Sequence, residues 1–131
     1  MSKRAAGQFA ITAWDQVPYA EAADGPQVGR ATVRKSFRGE LSGESTAEVL
    51  LCSDEAGGIA YTALERVTGS IGGRSGSFLL LHGAMRGTHT ADATGQIVPD
   101  SGTGELRGLR GTATIHHDER GAVFTLDYDL D

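Results

Sequence analysis

A chain of 131 residues suits one domain and one core, with very roughly 65 to 70% of the unfolded surface open to burial at this size. A net charge of −5 and a pI near 5.3 lack the basic footprint of a nucleic-acid binder, and no apolar run approaches the ~18 residues of a membrane span. A single cysteine, Cys52, excludes an intramolecular disulfide framework and fits a reducing compartment. The first residues, Met1 to Ala6, hold no signal-peptide core, and without asparagine there is no glycosylation sequon, so the cytoplasm is the expected location.

In chain order the pattern is almost entirely β. Gly7 to Trp14 alternates, placing Phe9, Ile11 and Ala13 on one face and Ala10, Thr12 and Trp14 on the other. A polar loop, Asp15 to Gln27, follows, in which Tyr19 to Ala23 between two prolines is too short to nucleate a helix. Strands are expected at Val28 to Phe37, Ser45 to Cys52, Ile59 to Ile71, Arg74 to Met85, more weakly at His89 to Val98, and then at Leu109 to His117 and Ala122 to Leu130. Glycine, 19 of 131 residues against an average of roughly 7%, recurs between these segments as turn punctuation. About eight strands with short turns suit an antiparallel barrel or sandwich. In the last strand Phe124, Leu126, Tyr128 and Leu130 alternate with Thr125, Asp127, Asp129 and Asp131. Such a carboxylate row is more often a solvated face than a metal site.

The hairpin Ile59 to Ala84 carries the most information. Gly72-Gly73 supplies the positive φ of a two-residue turn. With Ile71 opposite Arg74, Val67 faces Phe78, Glu65 faces Leu80 and Ala63 faces His82. Tyr61, Glu65 and His82 then share a face with Val67, Phe78 and Leu80, the candidate ligand-binding set. Glu48 joins them if Ser53 pairs with Gly58, whereas a loop one residue different turns it away.

Other features carry less. Arg30, Arg34, Lys35 and Arg38 read as a solvated strand edge, and Cys52 as a small hydrophobe near a strand end. Gly102 to Gly111 lacks the spacing and the following helix of a dinucleotide loop, and reads as a turn with tight backbone corners. His116 and His117, adjacent in a strand, point to opposite faces and cannot chelate together. His82 and His89 would share a metal only if the loop around Gly87 folded one of them back.

The order Ala63-Leu64-Glu65-Arg66-Val67-Thr68-Gly69, Gly73-Arg74-Ser75-Gly76-Ser77-Phe78, Gly102 to Gly111 and Thr125-Leu126-Asp127-Tyr128 resembles the bacterial domain of unknown function 3224 family. The likeness covers nearly the whole chain, including Trp14-Asp15 and Gly43 to Glu48. The resemblance implies an all-β fold, a closed antiparallel barrel of about eight strands of the allene oxide cyclase or calycin kind. It implies no activity, and nothing catalytic carries over from the plant cyclase, the kinship being one of fold.

Three function classes follow. A binding module would hold a small, partly hydrophobic molecule in the lumen. An enzyme would isomerise or cyclise a substrate there by acid-base steps, with His82 as acid or base and Glu65 setting its charge, without a cofactor. A filled barrel would act through its surface as a homo-oligomer or interaction domain. Neither nucleic acid nor membrane is an expected partner, and no metal or cofactor is expected. A lumen of about 300 Å³ or more separates the first two classes from the third.

Overall fold

The structure is a computed structural model and describes residues 2–20, 22–86, 93–119 and 121–131. Eight strands run in chain order: β1 (Lys3–Ala20), β2 (Gln27–Gly39), β3 (Leu41–Asp54), β4 (Gly57–Ile71), β5 (Arg74–Met85), β6 (Ala93–Ile97), β7 (Arg110–Asp118) and β8 (Gly121–Asp129). Each pairs antiparallel with the next, and β1 pairs with β8 to close a barrel. Among the described residues the only helical element is a 3₁₀ turn at Gly104–Leu106, and no helix is long and apolar enough to cross a membrane.

Period-two alternation sets which side chains enter the barrel. In β2, Ala31, Val33, Lys35 and Phe37 are buried while Arg30, Arg34, Ser36 and Arg38 are exposed. At the β4–β5 turn Gly72 and Gly73 both have positive φ, 58° and 82°, as a type I′ turn requires. The register follows as expected, with Ile71 opposite Arg74, Val67 opposite Phe78, Glu65 opposite Leu80 and Ala63 opposite His82.

The half of the barrel nearest that turn is solid. Phe37, Leu41, Val67, Ile71, Phe78, Leu80, Phe124, Leu126 and Tyr128 fill it, and Leu106 and Leu109, carried in by the 3₁₀ segment, cap its end. The Phe37 and Phe124 rings meet edge to face at 5.5 Å, which ties β2 to β8 across β1. Where Gly43 pairs with Gly69, the strands approach so closely that a Cβ on Gly43 would fall 2.2 Å from the Thr68 carbonyl oxygen. Only hydrogen fits there. The segment Gly102 to Gly111, expected as turn and corners, also supplies hydroxyls as substitute strand partners, since Ser77 and Leu79 donate backbone N–H to Thr103 Oγ1 and Ser101 Oγ.

Two irregularities alter the expected pattern. β1 extends far beyond Trp14, through Asp15 to Ala20, where a loop was expected. A register shift between Ile11 and Ala13 leaves Thr12 without a partner, so Trp14 lies opposite the buried Val33. The bulge therefore exchanges the faces expected of Ala13 and Trp14 and turns the indole toward the lumen. The β1–β8 seam ends at Phe9 opposite Ala122, whereas β1 stays paired with β2 as far as Ala20 opposite Val28. One side of the barrel wall thus stands higher than the other.

Candidate functional site

The half of the barrel away from the Gly72–Gly73 turn is hollow. Its interior positions carry small side chains, Ala31, Ala47, Ala63 and Ala84, with Gly95 opposite His82, so the walls do not meet across the axis. The resulting cavity is about 690 Å³ and is lined chiefly by apolar residues such as Phe9, Ile11, Val33, Val49 and Leu51. Half-exposed Trp14 stands at its mouth, with the indole N–H bonded to Gln16 at 3.0 Å.

A polar network forms the boundary between the hollow and the solid half. Glu65 of β4 is 0% exposed, yet it is fully bonded. Its Oε1 accepts from Lys35 Nζ of β2 at 3.0 Å and faces His82 Nε2 of β5 at 2.7 Å, and its Oε2 accepts from Ser45 Oγ of β3 at 2.5 Å. His82 Nδ1 lies 2.9 Å from the Tyr61 hydroxyl. The register brings these groups together: Lys35 pairs with Ser45, and Glu65 and His82 occupy neighbouring inward positions on paired strands. No buried side-chain polar atom among the described residues lacks a partner.

Protonation states follow from this geometry. Burial would push the Glu65 carboxyl up, but the bonds from His82 and Ser45 and the charge of Lys35 outweigh it and hold the group at about 2. Since an ionised carboxylate only accepts, His82 Nε2 carries the hydrogen of that bond. In the neutral ring Nδ1 is then the acceptor for the Tyr61 hydroxyl. Burial, and secondarily the Glu65 charge, push the Tyr61 phenol up to about 12, so it remains a donor. The result is a continuous chain from phenol through imidazole to carboxylate.

Tyr61, Glu65 and His82 thus meet as the hairpin register requires. Tyr61 and His82 line the cavity, while Glu65 lies behind them in the wall. Glu48 does not join them. Ser53 does pair with Gly58, but a bulge between Cys52 and Ser53 puts Cys52 opposite Ala60 and Glu48 opposite Leu64. That single-residue slip sends Glu48 to the outer surface, where it accepts from Thr32 Oγ1 at 3.1 Å.

Lys35 and Ser45 are the members that sequence reasoning missed. Grouping Lys35 with Arg30, Arg34 and Arg38 by proximity hid its parity, since 35 belongs with Ala31, Val33 and Phe37. Nor is β2 an edge, because it is paired on both sides. Lys35 is 8% exposed and its ammonium also lies 4.7 Å from the Phe9 ring centroid. His117 faces the cavity mouth, with His116 on the other side of β7. His89 lies outside the described residues. Among those described, no group of three His, Cys, Asp or Glu side chains is placed to hold a metal.

Residues 5–130 match the family described as protein of unknown function (DUF3224). A crystal structure of a protein with unknown function from that family, from Shewanella oneidensis MR-1, is 30% identical and aligns with a TM-score of 0.87 over 100% of this chain and 98% of the other. No curated protein matches the chain.

Proposed function

The chain belongs to the DUF3224 family, proteins of unknown function, and we propose that this barrel binds a small, largely apolar molecule with one polar group in its hollow half. The observation that carries this reading is the cavity itself. A volume of about 690 Å³ lies within the roughly 300 to 1,000 Å³ range of small-molecule sites, and a few convergent polar groups in an apolar wall are what such sites use to fix orientation. A barrel that worked only through its surface would gain stability by filling that space with larger side chains. Alanines at 47 and 84 leave it empty at a cost in packing.

The test uses native mass spectrometry of the protein purified from its source, beside Ala47→Phe, which places a ring in the lumen. The parent is expected to carry a small-molecule adduct that the variant has lost while keeping its β circular dichroism. An adduct-free parent, together with no thermal shift across a broad compound screen, would count against binding. The Tyr61–His82–Glu65 chain favours a second reading, cofactor-independent isomerisation or cyclisation, in which His82 relays a proton while Glu65 stabilises the imidazolium. Adduct released from the protein would then elute as two isomers of equal mass, whereas a simple binder returns one.

A further inference from the structure

Resting on the lumen-binding reading, we infer that the polar group of the ligand is an anion, a carboxylate, seated against Lys35 with the apolar body toward the mouth. The chain as a whole is acidic, with 17 Asp and Glu against 12 Lys and Arg, yet among the described residues no Asp or Glu lines the cavity. The basic groups that do line it include Lys35, His82, His117 and Arg86, the last held by Asp54 through two hydrogen bonds of 3.1 and 2.7 Å.

The network is also polarised across the wall. Glu65, its negative pole, is completely covered, while Lys35, His82 and Tyr61, which bond toward it or toward one another, reach the lumen surface. An ammonium has three N–H donors. One goes to Glu65 and the Phe9 ring covers another side of the cation, which leaves donor capacity on the lumen side. Glu65 in turn accepts from Lys35, His82 and Ser45, so its two oxygens are already occupied and it has no further lone pair aimed at Lys35. A carboxylate arriving from the mouth completes the coordination of Lys35 and exchanges its own hydration for charge-assisted hydrogen bonds in a low-dielectric site. A cationic head group would have to approach the Lys35 ammonium, which stands between the lumen and Glu65, and a neutral head gains less.

Three probes of one tail length separate the head groups: decanoate, decanol and decylamine, titrated at neutral pH by calorimetry against the whole protein. Decanoate is expected to bind at least about tenfold tighter than either other probe. In Lys35→Met/Glu65→Gln, which removes both charges together, that preference of at least about tenfold should vanish. Decanol or decylamine binding as tightly as decanoate would overturn the anion inference and leave the lumen reading standing, as would a preference that survives the double substitution. If none of the three binds the parent, the inference falls, and the lumen reading falls with it when its source-purified protein is also adduct-free. Should the double variant not fold, the ranking on the unaltered protein decides the matter without it.

Discussion

Replacing Glu65 by glutamine probes the network at its centre. The carboxyl is held at about 2, against an ordinary 4.5, because the bonds from His82 and Ser45 and the charge of Lys35 overcome the opposing effect of burial. Its folded value lies below its unfolded one, so the stabilisation is fully present above pH 4.5 and is lost as pH falls toward 2. A tenfold change in proton affinity is about 1.36 kcal/mol, so the displacement corresponds to about 3 kcal/mol, a large part of the roughly 5 to 15 kcal/mol of a typical domain. In Glu65→Gln a single carbonyl oxygen replaces two carboxylate oxygens, so the donors of Lys35, Ser45 and His82 compete for it and Lys35 loses its counter-charge. The variant should therefore be less stable at neutral pH by on the order of 3 kcal/mol. Urea unfolding of parent and variant, followed by circular dichroism at neutral pH and again between pH 4.5 and 2, measures both effects. The gap between the two proteins should close as the pH is lowered. A variant as stable as the parent at neutral pH, or a gap that stays constant through the acid range, would refute the assignment of this stabilisation to Glu65.

Phe78→Ala, which empties a fully buried position opposite Val67, should cost about 3 to 5 kcal/mol in the same urea assay, and little loss would mean the ring is not a core element. Gly43→Val forces a Cβ onto the Thr68 carbonyl at a backbone φ of +141°, so a loss of about 4 kcal/mol or more, or failure to fold, is expected, and a well-folded variant of parental stability would contradict the close approach of β3 and β4. Tyr61, raised to about 12, contributes stability that is present below pH 10 and lost as pH rises toward 12. Ultraviolet titration should show a late-ionising tyrosine that disappears in Tyr61→Phe, and identical titrations of the two proteins would exclude the shift.

The fold was legible where two independent local signals agreed. Gly72-Gly73 fixed both a turn type and, by counting outward, every partner from Ile71–Arg74 to Ala63–His82. Closure and strand number followed from turn spacing together with family resemblance. The two errors of facing share one physical cause, the insertion of a single residue. The bulge at Thr12 moved Trp14 into the lumen and the bulge after Cys52 moved Glu48 out of it. A bulge changes no composition and leaves alternation intact on either side, so period-two reasoning carries the wrong parity past it. Lys35 is a different case. Its parity with Ala31, Val33 and Phe37 was readable, but a lysine among apolar positions looks like a surface residue until its buried partner Glu65, two strands away on β4, is known.

Closure through β1 and β8 also shapes how the chain reaches this state. Seven of the eight strand pairings join neighbours in sequence and form as hairpins, each needing only a short stretch of chain to fold back. The eighth brings Lys3 against Tyr128, at opposite ends of the polypeptide. Because closure entropy grows only logarithmically, at about 0.6 kcal/mol per doubling, this seam costs about 2 kcal/mol more than a hairpin of some fifteen residues. That modest surcharge falls on a single event, and contacts that span the whole chain are the ones that slow folding. Phe37 meets Phe9 within the β1–β2 hairpin, but its contact with Phe124 needs the seam. The lumen, with its polar floor, exists as an enclosed space only when that seam is closed.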